Sequence, residues 1–248
     1  MPAAGGDAPR PQGWTGAATT HRDDRGGLDT EVAFRIARVT KMVTATALPV
    51  LADQGHCRLD DPTGRYLPSD VVDRFRDHQG RAYAGAVTLR QLLDHTSGLP
   101  NFFSQPPILE AVRHGGRRRR FTPLDLVDLA AVGEPPTSPP GMVHAYTDTG
   151  FLLAGLIIEA LSRRPLQAAY RELVLDPAGM ADTWLESSDE PPSRHDIAPH
   201  DFDGQDITGM DPRVDWAGGG LVSTAADLAS FLRALTRGQL IGSPPGAR

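Results

Sequence analysis

Residues 148 to 162, DTGFLLAGLIIEALS, restrict the fold more than any other stretch of the chain. Apolar side chains run through the segment, and only Asp148 and Glu159 carry charge. A membrane span needs roughly 18 or more apolar residues in a row, so this segment is too short to cross a bilayer. It reads as a helix that is apolar nearly all round. Such a helix is stable only inside a core, with other elements packed about it. At 248 residues and 40% hydrophobic content the chain can supply that core, as one large domain or one domain in two lobes.

The remaining elements read as mostly helical. Residues 40 to 54 carry apolar residues at helical spacing, with Gly55 placed as a stop. Pro49 conflicts with that helix, because an interior proline lacks the backbone donor and costs about 3 kcal/mol. A second helix is expected to be capped near Thr88 and to end before Ser97-Gly98. Others are expected over 122–132 and 166–175, and after Ser223 or Thr224 as cap. Strand signal is slight: GWTGAATT at 13–20 is one candidate. Residues 1–12 read as a disordered lead-in and 13–248 as the domain. Residues 186–212 read as polar and irregular.

Charge excludes several function classes. The formal net charge of −6 gives no general attraction to nucleic acid or anionic membrane. The basic run Arg117 to Arg120 has no aromatic or second basic cluster beside it, and reads as a solvated loop rather than a nucleic-acid surface. Cys57 is the only cysteine, so no intrachain disulfide forms, and it reads as an inert thiol. RHDIAPHDFDGQD gathers His195, Asp196, His200, Asp201, Asp203 and Asp206, but its spacing matches neither a helical His pair nor a calcium loop, and no metal or cofactor is expected. The N-terminal MPAAGGDAPRPQG lacks the apolar centre of a secretion signal, so the chain as written reads as cytoplasmic.

The chemistry centres on FRIARVTKMVTAT, residues 34–46. A lysine one helical turn after a serine can act as its base, since both project from one face. A tyrosine from another element can relay protons, and backbone amides can hold the oxyanion. Here Lys41 opens the helix, but the position three residues earlier is Arg38. Thr40, Thr44 and Ser97 are the nearby hydroxyls, and none stands where such a nucleophile belongs.

Several stretches together resemble the penicillin-recognising serine hydrolases: class C β-lactamases, D-Ala-D-Ala carboxypeptidases and β-lactamase-like esterases. FRIARVTKMVTAT resembles that family's Ser-x-x-Lys helix, and AYTDTGFLLAGLIIEALS resembles its Tyr-x-Asn region. LDDPTGRYLP, TLRQLLDHTSGLP, LDPAGMADTW and AGGGLVSTAADLASFLRAL resemble further segments in the same order, from about residue 30 to 238. The resemblance implies an α+β, β-lactamase/transpeptidase-like fold. The helical lobe is largely present; the antiparallel sheet is expected to be incomplete at both chain ends, with no Lys-Thr-Gly or His-x-Gly strand motif, as in a truncated copy. Lys41 then matches the general base, Tyr146 the proton relay, Asp148 the position where the family often has Asn, and Arg38 the nucleophile position. A guanidinium has no nucleophilic oxygen and stays charged.

The family reaction is acyl transfer through a serine ester on an amide, an ester, a β-lactam or a D-Ala-D-Ala peptide. With Arg38 in place the chain is expected to be inactive toward such an acyl substrate. The alternatives are a pseudoenzyme that clamps a carboxylate ligand with Arg38, Lys41 and Tyr146, or a decayed gene fragment.

Overall fold

A computed structural model describes residues 32–113, 121–133, 135–136, 138–186, 197–202 and 205–242. The lead-in, the strand candidate at 13–20 and the Arg117–Arg120 run lie outside the described residues. In chain order the helices are α1 (Thr40–Asp53), α2 (Ser69–Val72), α3 (Leu89–Leu93), α4 (Pro106–Arg113) and α5 (Pro123–Ala131). They continue with α6 (Asp148–Ser162), α7 (Leu166–Tyr170), α8 (Trp216–Gly219) and α9 (Ala225–Thr236). The strands are β1 (Phe34–Arg35), β2 (Trp184–Leu185), β3 (Asp201–Phe202), β4 (Gln205–Asp206) and β5 (Leu221–Ser223).

The apolar segment 148–162 is α6, and it is the centre of the molecule. Thr147 caps it, accepting from the Thr149 backbone N–H at 3.1 Å, and Arg163 ends it in the left-handed region at φ 55°. The helix is buried from Asp148 through Gly155, and again at Ile157 and Ile158. It packs against α1, α3, α5, α7 and α8. Gly155 admits α8 closely: a Cβ there would lie 2.8 Å from the Trp216 ring. Each fully buried Leu or Ile of such a core contributes about 1.5–3 kcal/mol.

The helix ends follow ordinary side-chain chemistry. Thr88 and Thr122 each form a capping box, with Gln91 and Asp125 as the reciprocal partners. Thr224 caps α9 by accepting from Asp227 N at 3.2 Å. α3 stops at Asp94, where His95 turns to φ 61°, short of Ser97-Gly98. The helix expected over 166–175 exists, but its second half, Arg171–Leu175, winds as a π-helix. Pro49 does lie inside α1. The helix continues through it because Ala47, Leu48, Val50 and Leu51 are all buried around it, and that packing outweighs the local penalty.

Two segments differ from expectation. FRI is not part of the helix: Phe34 and Arg35 form an edge strand of a three-stranded antiparallel sheet in the order β1-β5-β2. Phe34 pairs with Ser223 and Trp184 with Val222. A two-residue strand carries no alternation for a sequence reading to detect, and it is fixed by tertiary contacts. Arg35 holds Glu186 through two bonds of 2.6 Å and the carbonyls of Ile207 and Thr208 at 3.2 and 2.9 Å. The second is the polar stretch 186–212, where β3 and β4 pair as a short ribbon.

Candidate active site

The site forms where the first turn of α1, the N-terminus of α6 and the turn of α8 meet. Ala37, at φ 44°, starts a 3-10 turn over Ala37–Val39 that leads into α1. Arg38 lies on that turn, Lys41 in the first turn of α1, Asp148 at the start of α6, and Tyr146 on the approach to it. Leu221 N donates to Thr40 Oγ1 at 3.2 Å, and Ile36 N to the Leu221 carbonyl at 3.0 Å, which ties this entrance of α1 to β5.

All four residues singled out in the sequence converge. Lys41 Nζ donates to Asp148 Oδ1 at 2.6 Å and to the Gly218 carbonyl at 2.8 Å. Both side chains are buried, Lys41 at 9% exposure and Asp148 at 1%. The Tyr146 hydroxyl donates to the same Oδ1 at 3.2 Å. Arg38 Nη1 stands 3.4 Å from the Tyr146 hydroxyl and 3.6 Å from Asp148 Oδ1. Its guanidinium lies 5.4 Å from the ring centres of both Phe103 and Tyr146, and its side chain is 54% exposed.

The carboxylate of Asp148 is therefore used unevenly. Oδ1 carries the lysine, the tyrosine and the more distant arginine, while Oδ2 is buried with no hydrogen-bond partner among the described residues. Its backbone N–H donates to Asn101 Oδ1 at 3.1 Å. A Cβ at Gly218 would lie 3.3 Å from Lys41 Nζ, so a larger residue there would press on the lysine.

Burial, with the Asp148 charge added, pushes the Tyr146 phenol well above its ordinary range, and Arg38 opposes this only in part, so the hydroxyl stays a donor. His95, its ring centre 4.6 Å from that of Tyr146, accepts from Thr147 N through Nδ1 at 3.3 Å. Burial, then the Lys41 charge, lowers its pKa, so it sits here as a neutral ring. Asp215, at the head of α8, is raised from 3.8 to about 6, first by burial and then by Asp148, against Lys41, Arg38 and Arg35. Protein surrounds its carboxyl closely, although the residue as a whole is only partly buried.

Among the described residues, the hydroxyls singled out near Lys41 in the sequence are engaged in other contacts. Thr44 Oγ1 is bonded to the Tyr170 hydroxyl at 2.6 Å and donates to the Ala217 carbonyl at 2.7 Å. Ser97 is fully buried and accepts from Leu99 N at 3.3 Å. Cys57 is buried and its thiol is raised to about 11, chiefly by that burial, which keeps it protonated and unreactive. Of the His and Asp residues at 195–206, His195, Asp196 and Asp203 lie outside the described residues.

Sequence reasoning missed four contributors: the Gly218 carbonyl, Asn101, Phe103 and Asp215. The Gly218–Gly220 run was the one available signal, because three glycines together mark close approach of other groups. Asp215 stands in no pattern that would have marked it.

Arg38 and Lys41 stand three residues apart at the same carboxylate, with a tyrosine hydroxyl between them. The chain that carries this arrangement has relatives. The family described as Beta-lactamase matches residues 11–245. Protein Rv1367c of Mycobacterium tuberculosis is 34% identical over 225 residues, covering 84% of this chain and 55% of that protein. Penicillin-binding protein 4 of Amycolatopsis lactamdurans is 29% identical, covering 86% of this chain and 53% of that protein. The crystal structure of a D-stereospecific amidohydrolase from Streptomyces sp. superposes with a TM-score of 0.73 at 32% identity, covering 87% of this chain and 64% of that one. The chain thus spans about half the length of these curated relatives. Among the described residues no helix is long and apolar enough to cross a membrane. By the extent of the family match and the fold it shares with these relatives, the chain belongs to the beta-lactamase family.

Proposed function

We propose that this chain is a non-acylating member of its family, and that its cleft binds a carboxylate-bearing small molecule through Arg38. The family's reaction, attack of a serine on an amide or ester, needs a nucleophilic oxygen beside Lys41. The observation that carries the reading is the guanidinium of Arg38 at that position, held between Phe103 and Tyr146 and 54% exposed. Lys41 Nζ is held by the Asp148 carboxylate at 2.6 Å and the Gly218 carbonyl at 2.8 Å, and the residue one turn before it supplies no nucleophilic oxygen. Arg38, by contrast, uses Nη1 alone, while Nε and Nη2 make no hydrogen bond among the described residues. A guanidinium with a free edge fits a carboxylate by two parallel bonds.

Titration calorimetry with propionate tests this. Binding at millimolar ligand, lost in Arg38→Ala and retained in Arg38→Lys at reduced affinity, is the expected result. Absence of heat at tens of millimolar, or equal binding by Arg38→Ala, refutes it.

A further inference from the structure

The open cation of the cleft has apolar neighbours. Among the described residues, more than half of the large apolar side chains left exposed fall in two short segments, 38–42 and 142–146. Val39 and Met42 belong to the first, and Met142, Val143 and Tyr146 to the second. The segments meet where Arg38 Nη1 stands 3.4 Å from the Tyr146 hydroxyl. Met42 follows Arg38 by four residues, the spacing that brings side chains to one face of a helical turn.

Phe103 adds a further wall. Its ring centre, like that of Tyr146, lies 5.4 Å from the Arg38 guanidinium. The backbone that carries this ring is tied down. Asn101 Oδ1 accepts from Phe103 N at 3.2 Å and from Asp148 N at 3.1 Å, and Phe102 N donates to Thr149 Oγ1 at 3.1 Å. These bonds fix the 3-10 turn Phe102–Ser104 to the start of α6. Wall and cation are thus set in place without a ligand, which lowers the ordering cost of binding.

The charge open to a ligand here is positive. Arg38 keeps Nε and Nη2 free of hydrogen bonds among the described residues. Asp148 is buried, its Oδ1 is taken by Lys41 and Tyr146, and its Oδ2 is closed to solvent. An incoming ammonium would meet the Arg38 cation, while the carboxylate it needs is buried and already paired.

We infer that the site selects monocarboxylates with an apolar body and no ammonium, the carboxylate on the Arg38 edge and the body against Phe103, Tyr146 and Met42. This rests on the carboxylate reading given above and names its ligand class. A short acid such as propionate satisfies the guanidinium but leaves the rings in water. An acid that carries a phenyl group answers both. An α-amino acid of the same skeleton brings its ammonium into the field of Arg38.

The test is calorimetry at pH 7.5 with propionate, 3-phenylpropionate and both hands of phenylalanine, which differs from 3-phenylpropionate only by the α-ammonium. 3-Phenylpropionate is expected to bind about tenfold or more tightly than propionate, and by a similar factor more tightly than either phenylalanine. In Phe103→Ala its advantage over propionate should fall to about threefold or less, and Met42→Ser should lower it by a smaller factor. In Arg38→Ala neither acid should bind. If 3-phenylpropionate binds no better than propionate, the apolar wall is wrong and the carboxylate reading survives. An advantage that persists in Phe103→Ala overturns the wall as well, since the phenyl group then lies elsewhere. If either phenylalanine matches 3-phenylpropionate, the exclusion of an ammonium is wrong. If 3-phenylpropionate binds Arg38→Ala as well as wild type, or no acid binds the folded wild-type chain, this inference and the carboxylate reading fall together. Circular dichroism of each variant confirms that it is folded before its affinity is compared.

Discussion

Lys41 and Arg38 stand three residues apart and share a carboxylate, yet they live in opposite environments. Lys41 is 9% exposed and holds a 2.6 Å ion pair and a carbonyl. Arg38 is 54% exposed, with one long hydrogen bond and two aromatic rings for support. The first is a structural joint between α1, α6 and α8. The second is an open cation at the cleft. Three residues along one turn thus separate a buried, paired cation from an exposed one. The buried half is locked by desolvation, whereas the exposed half is free to vary because little depends on it for folding.

The largest effect should come from breaking the buried half. Asp148→Ala leaves the Lys41 ammonium buried without its counter-charge and removes the Tyr146 acceptor, and should cost about 3–5 kcal/mol in urea unfolding. The double variant Lys41→Met with Asp148→Leu should recover most of that loss, because replacing both ions removes the unpaired charge. If Asp148→Ala costs under about 1 kcal/mol, the pair is not the joint described.

A smaller effect belongs to Asp215 and carries a sign. Its carboxyl is raised in the fold from 3.8 to about 6, so the ionised form is disfavoured there relative to the unfolded chain. Below about pH 4 both states are protonated and the penalty vanishes. Between about pH 4 and 6 the folded state holds the extra proton, stability falls as pH rises, and above pH 6 the full penalty applies. Asp215→Asn should therefore gain stability at pH 7.5 relative to pH 4, by at most about 3 kcal/mol. Thermal melts of both proteins at the two pH values would decide it. A pH-independent difference would show that the carboxyl is not held up.

The smallest effect on stability should come from Arg38. Arg38→Ala removes an exposed cation and two aromatic contacts, and should shift unfolding by about 0.5 kcal/mol or less while abolishing carboxylate binding. A loss beyond 2 kcal/mol would make Arg38 a structural residue like Lys41 and erase the contrast.

Much of this was legible in the sequence, for identifiable reasons. α6 announced itself by 15 residues of apolar composition, and α5 and α9 by threonine caps, because burial and capping leave local marks. Lys41, Tyr146, Asp148 and Arg38 were found because the segments that hold them resemble a family in order and spacing. The sheet was not, since strands of two or three residues such as Phe34–Arg35 are fixed by partners 150 and more residues away. Asp215 and the Gly218 carbonyl were missed for the same physical reason: what makes them matter is proximity created by the packing of α8 on α1 and α6. Pro49 misled in the other direction, as a strong local signal that tertiary burial overrides.

The proposal that this chain is non-acylating rests on Arg38 standing where the family resemblance puts the nucleophile. Intact-mass spectrometry after incubation with a chromogenic ester and with a penicillin tests it directly, using Lys41→Ala as control. No covalent adduct on the wild-type chain above that control is expected. A stoichiometric acyl adduct formed faster than in Lys41→Ala would contradict it, and would mean that another oxygen does the work assigned elsewhere in the family to the serine.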